Sequence, residues 1–178
     1  MKTLVIGHTN GIGKAIYKKL NKSNLTSVVA GISKSTGFDI NIRNTDFNYN
    51  QFDCIILNSY DLFTSQLNTL MEIAENLDKD KLIVVLGSTS AYKTNPSDLY
   101  WAGYAVEKAA IVKLGTDLNT MGYNVAMVSP GTVDTHRNAH KDIDKLPAKT
   151  IAKTVENILN QYTKGVLLEH TVIRTVKN

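Results

Sequence analysis

A chain of 178 residues, 43% of them apolar and 20% charged, is long enough to bury a substantial core, and we expect one domain over residues 1–178. The net charge of +4 comes from scattered lysines, without a basic run interleaved with aromatic residues, which excludes a typical nucleic-acid-binding surface. No apolar run approaches membrane-spanning length, and the lone cysteine, Cys54, leaves no internal disulfide. We therefore expect a cytoplasmic protein that binds neither nucleic acid nor membranes.

Short apolar, β-branched runs alternate along the chain with segments of helical periodicity. Strands are predicted at 3–6, 28–32, 52–57, 81–86, 123–128 and 165–173, with a further short strand at 38–40. Helices are predicted at 13–20, 65–77, 104–121 and 147–161, with Gly122 ending the third and Pro147 in the first turn of the fourth. This order predicts an α/β fold, a Rossmann-type doubly wound parallel sheet in a three-layer α-β-α domain.

The first predicted strand runs into a glycine-rich turn that opens the first predicted helix. Gly7 permits the bend off the strand, Gly11 lets the backbone approach a pyrophosphate, and Gly13 allows close packing of helix on strand. The helix N-terminus adds free amide donors and the positive end of the helix dipole. This placement favours dinucleotide binding over the alternative, a turn that binds nothing. The predicted cofactor-binding residues here are Gly7, Thr9, Asn10, Gly11, Ile12 and Gly13.

The residues after the second predicted strand indicate which dinucleotide to expect. A carboxylate at this place pairs with the ribose of NAD, but here the chain reads Ser33-Lys34-Ser35, with no acid before Asp39. A lysine and two hydroxyls suit the 2′-phosphate of NADP better, and Lys14 can add a second positive charge. We predict NADP rather than NAD, with Ser33 and Lys34 as cofactor-binding residues. The alternative is that Lys34 is an ordinary surface lysine in a turn.

A serine and a tyrosine–lysine pair are the candidate catalytic residues. Ser88 follows the predicted strand 81–86, and Tyr104 and Lys108 lie four residues apart on one face of the next predicted helix. A nearby ammonium lowers the pKa of a phenol, and a serine hydroxyl can donate to a substrate oxygen. Together the three predict proton transfer for carbonyl reduction or alcohol oxidation, with hydride from a nicotinamide. A Tyr-x-x-x-Lys pattern alone is common by chance, so its weight comes from the serine at the strand end.

Taken in order along the chain, these motifs resemble those of the short-chain dehydrogenase/reductase family. The family's glycine motif, catalytic serine and Tyr/Lys pair match the residues named above, and the likeness runs from about residue 2 to residue 173. Asn58 stands where the family carries its Asn-Asn-Ala-Gly motif, and the family's Pro-Gly motif is matched by Pro130-Gly131-Thr132-Val133-Asp134-Thr135.

The resemblance implies an NAD(P)-dependent oxidoreductase that acts on a small carbonyl compound or secondary alcohol. Tyr104 would be the acid/base, Lys108 would bind the nicotinamide ribose, and Ser88 would orient the substrate. The family likeness also gives an expectation of a homodimer or homotetramer, and we predict no metal site. The resemblance also implies that Val133 and Thr135 flank the nicotinamide carboxamide. The residues that it adds to the cofactor site are Asn58, Tyr104, Lys108, Pro130, Gly131, Val133 and Thr135.

The chain departs from the family pattern in the active-site loops. Ser90 is an alternative to Ser88, because the turn-forming stretch 93–96 makes the Ser88–Tyr104 interval longer than usual. The family's catalytic asparagine on the helix after Asn58 has no clear counterpart; Asp61 and Asn68 stand near its place, and we assign neither.

The chain is also shorter than typical family members, with only residues 136–146 between the Pro-Gly motif and the last helix. We therefore expect a substrate cleft that is open or closed by a partner chain. His136 and Arg137 lie at its expected rim, where a solvated loop is the favoured interpretation and contact with an acidic substrate the alternative. The missing asparagine and short cap leave a second hypothesis for function, a non-catalytic dinucleotide-binding sensor or interaction protein.

Overall fold

The computed structural model describes residues 1–44, 46–61, 64–93 and 97–176. Its helices are α1 (Gly11–Leu20), α2 (Ser65–Asn76), α3 (Leu99–Thr120) and α4 (Ala148–Tyr162). Its strands are β1 (Lys2–Ile6), β2 (Val28–Ile32), β3 (Cys54–Leu57), β4 (Leu82–Leu86), β5 (Asn124–Pro130), β6 (Val133–Asp134), β7 (Leu146–Pro147) and β8 (His170–Ile173). Most of the predicted stretch 93–96 lies outside the described residues.

The main sheet confirms the predicted parallel architecture. Within the described residues its strand order is β2-β1-β3-β4-β5-β8, and every neighbouring pair is parallel. The strands β6 and β7 form a separate parallel pair beside it. The chain leaves β1 for β2 on one side and returns to β3 on the other, so the connections diverge between β1 and β3. Ligands of doubly wound sheets bind at this point, beyond the carboxyl ends of the strands.

Two apolar clusters cover the two faces of the sheet. Leu4, Ile55 and Ile83 point to a cluster that includes residues of α2 and α3. Their neighbours in sequence, such as Val5 and Ile56, point to the opposite cluster, which includes residues of α1 and α4. The central strands therefore alternate between two buried faces, which explains why β3 and β4 are apolar throughout and confirms the three layers. Cys54 is fully buried in β3.

Helix α3 begins five residues earlier than predicted. The Asp98 carboxylate accepts a hydrogen bond from the Trp101 amide at 2.9 Å, and this N-cap places residues 99–103 in the helix. At the other end, the Gly122 amide donates to the Asn119 carbonyl and the Tyr123 amide to the Leu118 carbonyl, both at 3.0 Å. This pair of bonds is the Schellman motif, so the predicted end at Gly122 is confirmed.

Three local predictions are wrong. Residues 38–40 form no strand: Phe38 and Ile40 are buried, but the Asp39 carboxylate accepts the Asn41 amide at 2.9 Å and bends the chain. The last strand begins at His170 rather than at residue 165, because the Gly165 amide still bonds to the Tyr162 carbonyl at the end of α4. Pro147 is the N-cap of α4, outside its first turn.

The described residues contain neither a metal-binding cluster nor a membrane-spanning helix. No group of His, Cys, Asp and Glu side chains in these ranges is arranged to hold a metal ion. In the same part of the chain, no helix combines the length and apolar character needed to cross a bilayer.

Gly13 packs so closely on the end of β1 that we expect it to tolerate no side chain. A Cβ added to Gly13 would lie 2.0 Å from the Gly7 carbonyl oxygen and 2.6 Å from Asn58 Nδ2. Because backbone must move to relieve this overlap, Gly13→Ala should lower the free energy of unfolding by about 3 kcal/mol in urea titrations.

Gly115→Ala is the matched control in another helix. Its added Cβ would meet the flexible thioether end of Met127 at 2.5 Å, which can move aside, and alanine is the better helix former by about 1 kcal/mol. We expect this variant to stay within about 1 kcal/mol of the wild type. Equal losses for the two variants would contradict the packing argument.

Candidate active site

The carboxyl ends of β1, β3, β4 and β5 open into one cleft of about 1410 Å³. With one exception, the predicted site residues line this cleft. Besides those discussed below, they are Thr9, Asn10, Ile12, Ser33, Pro130, Gly131 and Val133. The exception is Gly13, which is buried beneath the turn and packs on Gly7. Residues predicted from separate loops are therefore brought together, and their roles remain predictions.

The glycine turn interlocks with two neighbouring loops. Gly7 has a φ of 86°, and a Cβ there would lie 2.9 Å from the Ser59 backbone nitrogen. Gly11 has a φ of 50°, and its Cβ would come within 3.2 Å of Thr135 Cγ2. The Asn58 side-chain amide donates to the Gly7 carbonyl at 3.1 Å. Both positions thus need glycine for their backbone angle and for the closeness of the neighbouring loop.

The first turn of α1 is free to receive an anion. Its N-cap, Asn10, makes no side-chain capping hydrogen bond within the described residues, and the first turn contains no acidic residue. The amides that begin a helix have no partner inside the helix, and the dipole gives this end a partial positive charge. The geometry therefore fits a phosphate group at the mouth of the turn.

Lys34, at the β2 side of the cleft, is engaged by two carboxylates. Its ammonium lies 3.2 Å from Asp61 and 3.6 Å from Asp39, and Asp61 also accepts from Asn41 at 2.8 Å. The hydrogen bond to Asp61, together with the charge of Asp39, raises the pKa of Lys34. Lys14, the second cation considered for a 2′-phosphate, is exposed and lies outside the residues that line the cleft.

Ser88 and Tyr104 meet within the cleft. Both residues line it, the Ser88 hydroxyl is near enough to Tyr104 to act on its pKa, and Ser88 Oγ accepts a hydrogen bond from the Ser90 amide at 3.1 Å. Burial raises the pKa of Tyr104, and this effect outweighs the opposing influence of the Ser88 hydroxyl and of the positive charge of Arg137. The expected lowering of the phenol pKa by Lys108 is therefore wrong, because the ammonium lies 5.3 Å from the centre of the Tyr104 ring and bonds elsewhere.

The Lys108 ammonium is buried at the base of the cleft. The residue is 2% exposed, and its Nζ donates to Gln66 Oε1 and lies 4.8 Å from the centre of the Tyr60 ring. Burial lowers the pKa of Lys108 to about 8; the charge of Glu107 opposes this shift, and that of Arg137 adds to it. The two pKa values are therefore shifted opposite to expectation: that of Lys108 is lowered, which favours the neutral amine, and that of Tyr104 is raised, which favours the protonated phenol.

Gln66 is a site residue that sequence reasoning missed. Its side chain is fully buried, and its Nε2 donates to the carbonyls of Leu86, at 2.9 Å, and Leu57, at 3.3 Å. Gln66 thereby links the ends of β3 and β4 to Lys108. The two candidates considered for this helix lie elsewhere: Asp61 pairs with Lys34, and Asn68 is exposed. A polar residue on the buried stripe of α2 was the available signal.

An aromatic wall surrounds Tyr104. The ring centres of Tyr60 and Trp101 lie 5.1 and 5.6 Å from that of Tyr104, both edge to face, and Tyr100 packs on Trp101 at 5.4 Å. Tyr100 and Trp101 both line the cleft. Behind the wall, Glu107 is 1% exposed, and neither of its carboxylate oxygens has a hydrogen-bond partner among the described residues.

Comparison with known proteins identifies the fold. No family model matches the sequence, and no curated protein matches it. Solved structures do match: a 3-alpha-hydroxysteroid dehydrogenase from Pseudomonas sp. B-0831, complexed with NADH, superimposes with a TM-score of 0.74 at 14% identity over 98% of this chain and 95% of that one. The fold is that of the short-chain dehydrogenases/reductases.

Two further solved structures match over a similar share of each chain. A 3-oxoacyl (acyl-carrier-protein) reductase from Agrobacterium tumefaciens C58 with NADP bound has a TM-score of 0.73 at 16% identity, covering 97% of this chain and 92% of that one. A short chain dehydrogenase family protein from Francisella tularensis subsp. tularensis SCHU S4 has a TM-score of 0.70 at 20% identity, covering 97% and 96%. At these identities the short-chain dehydrogenase/reductase likeness establishes the fold alone.

The lowered pKa of Lys108 predicts a specific pH dependence of stability. Between pH 8 and the ordinary lysine pKa of 10.5, the unfolded chain binds a proton that the folded protein does not. The free energy of unfolding of the wild type should therefore rise with pH in this range relative to Lys108→Met, by on the order of 2 kcal/mol between pH 8 and pH 10. Below about pH 7, where Lys108 is protonated in both states, the difference between the two proteins should be constant.

Lys113→Met, which removes an exposed lysine of the same helix, is the control and should follow the wild-type slope. The measurement is urea unfolding at closely spaced pH values. A constant difference between the wild type and Lys108→Met up to pH 10 would show that Lys108 titrates normally.

Proposed function

We propose that the protein is a short-chain dehydrogenase/reductase-type, NAD(P)-dependent oxidoreductase that acts on a small carbonyl compound or secondary alcohol. The observation that carries this proposal is the meeting of Ser88, Tyr104 and Lys108 in the same cleft as the glycine turn. Packing alone gives no reason for a proton-transfer group and an anion cradle to share one edge of the sheet. The matched structures that contain NADH or NADP lend support at the level of fold.

The residues of the cleft fit a nicotinamide dinucleotide. The turn at Gly7 and Gly11 would be blocked by side chains, and the first-turn amides of α1 would hold the diphosphate. Ser33 and Lys34 would hold the adenosine ribose side. A bound nicotinamide would supply or accept the hydride. The residues that would hold the nicotinamide half are Asn58, Tyr104, Lys108, Pro130, Gly131, Val133 and Thr135.

The chemistry assigned to the chain itself is proton transfer at the substrate oxygen. The raised pKa of Tyr104 keeps its hydroxyl protonated at neutral pH, which suits donation to a carbonyl oxygen during reduction. Ser88, which lines the cleft beside Tyr104, would hold the same oxygen. Gln66 keeps the Lys108 ammonium at the base of the cleft, where it would bind the nicotinamide ribose. Alcohol oxidation needs the phenolate and should therefore gain rate as the pH rises.

Replacing the proposed acid should separate catalysis from binding. We expect Tyr104→Phe to lower turnover by about 10²–10⁴-fold, the usual contribution of a positioned acid, while the Kd for NADPH stays within about twofold. Turnover is followed by nicotinamide absorbance with a panel of small ketones and aldehydes, and binding by fluorescence titration.

Tyr92→Phe is the control, because the Tyr92 hydroxyl bonds to His170 at 2.9 Å and is not among the residues that line the cleft. Unchanged turnover in Tyr104→Phe would reject the assignment of the acid. A wild-type protein that binds NADPH but reduces no carbonyl compound of the panel would instead support the second hypothesis, a non-catalytic sensor.

We further propose that NADP is favoured over NAD, by a modest margin. Lys34 and the Ser33 hydroxyl supply a cation and a donor at the ribose end, but a 2′-phosphate must displace Asp39 and Asp61 from Lys34. The Kd for NADPH should therefore be lower than that for NADH, Asp61→Asn should widen the difference, and Lys34→Gln should remove it. Equal or tighter binding of NADH by the wild type would refute the preference.

The proposed assembly is a homodimer or homotetramer, as the family resemblance implies. The outer surfaces of α2 and α3 expose apolar side chains, Met71 at 47% and Val106 at 63%, which supports an association through these helices. The proposed substrate is a small molecule in either assembly.

A further inference from the structure

Two parts of the cleft lining carry charge in different ways. At the end next to β2, the Lys34 cation is paired with Asp39 and Asp61. In the part of the lining formed by residues 93 and 136–142, cationic and histidine side chains outnumber carboxylates. This wall is formed by Lys93, His136, Arg137, His140, Lys141 and Asp142.

Among the residues that the structure describes, the cations of this wall have no carboxylate within ion-pair distance. Within the described ranges, none of Lys93, Arg137 and Lys141 takes part in an ion pair. The positive charge of Arg137 contributes to the lowered pKa of Asp61, but hydrogen bonds from Asn41 and Lys34 to that carboxylate are the larger causes. Unpaired cations that face one cavity make a field that attracts anions.

Some of these cations also repel one another. Burial lowers the pKa of Lys141, and the charge of Lys93 lowers it further. The charge of Arg137 likewise lowers the pKa of Lys108. Burial is the larger cause of that shift, and the charge of Glu107 opposes it. Like charges held in proximity cost free energy, and an anion bound between them removes that cost.

Aromatic rings fix where the cations lie relative to Tyr104. The Arg137 guanidinium is 5.6 Å from the centre of the Tyr60 ring, which itself packs edge to face on Tyr104. The Lys141 ammonium is 4.7 Å from the centre of the Trp101 ring, on the other neighbour of Tyr104. The cations therefore flank the proton donor, at the part of the cleft where a substrate carbonyl would lie.

We propose that the substrate is a small oxo acid, whose carboxylate binds Arg137 while its carbonyl oxygen faces Tyr104 and Ser88. This inference rests on the proposed oxidoreductase function and adds the substrate class. Arginine presents a planar fork that matches a carboxylate, and Lys93 and Lys141 add attraction at the mouth. The phosphates of the cofactor are the other anions within reach of such a wall. The contacts favour the substrate, because Arg137 lies on Tyr60, the ring that also contacts Lys108 and Tyr104.

The test compares matched pairs that differ only in the anionic group: levulinate with methyl levulinate, acetoacetate with ethyl acetoacetate, and pyruvate with methyl pyruvate. With either NADPH or NADH, the acid of at least one pair should have a kcat/KM about 10-fold or more above that of its ester, the size expected of a charge-assisted contact. The advantage should shrink as the ionic strength rises. Esters reduced as well as acids would overturn the substrate class and leave the oxidoreductase function standing. No reduction of any acid or ester would overturn both.

Substitutions of Arg137 then test whether this residue binds the carboxylate of the substrate. Arg137→Gln should raise the KM for the acid about 10-fold and leave the ester and the Kd for NADPH unchanged, and Arg137→Lys should restore part of the loss. Arg174→Gln, at an exposed position outside the cleft, is the charge-matched control. Binding of levulinate in the presence of NADP⁺, measured by calorimetry, should weaken in Arg137→Gln alone, which gives a readout without turnover. A weaker NADPH affinity in Arg137→Gln, with the acid and ester affected alike, would assign Arg137 to the cofactor phosphates and overturn the proposal.

Discussion

The hydrogen bond from the Asn58 side chain to the Gly7 carbonyl is the contact on which the site depends. It joins the ends of β1 and β3, the two strands between which the chain changes direction. That bond forms only because Gly13 carries no Cβ, since one would overlap both the Gly7 oxygen and the Asn58 amide. Fixing these backbones aims the first turn of α1 at the cleft, without a side-chain cap in the described part of the chain to compete for its amides. The proposed phosphate cradle is thus a consequence of close backbone packing.

A second constraint is the burial of Lys108. An ammonium with 2% exposure must find acceptors and countercharge, and here the Gln66 oxygen, the Tyr60 ring and the Glu107 carboxylate supply them. Gln66 also donates to the last carbonyls of β3 and β4, so the position of the ammonium is tied to the sheet. Tyr104, enclosed by aromatic rings, remains a phenol with a raised pKa. These opposite pKa shifts suit the proposed site, in which Lys108 binds the nicotinamide ribose and Tyr104 donates a proton to the substrate.

The sequence predicted the architecture well because its signals were local and periodic. Apolar strands, Gly122 at a helix end and the glycine turn each express a rule within a few residues. The errors at residues 38–40 and at the start of α3 arose where side chains decided the backbone, through the Asp39 turn and the Asp98 cap. Gln66 and the pairing of Lys34 with Asp39 and Asp61 depend on contacts between residues far apart in the chain. Neither pattern nor spacing encodes such contacts, and the pKa directions of Tyr104 and Lys108 follow from burial that only the fold creates.

The central claim is that a nicotinamide dinucleotide binds along the carboxyl edge, across the gap between β1 and β3. Backbone amide chemical shifts recorded by NMR during titration with NADPH test it most directly. We expect the largest shifts at residues 7–13, 58–60 and 131–135, which line or adjoin the cleft, and little change in the far half of α4. Absence of shifts at saturating NADPH, or shifts confined to residues away from these three loops, would contradict it.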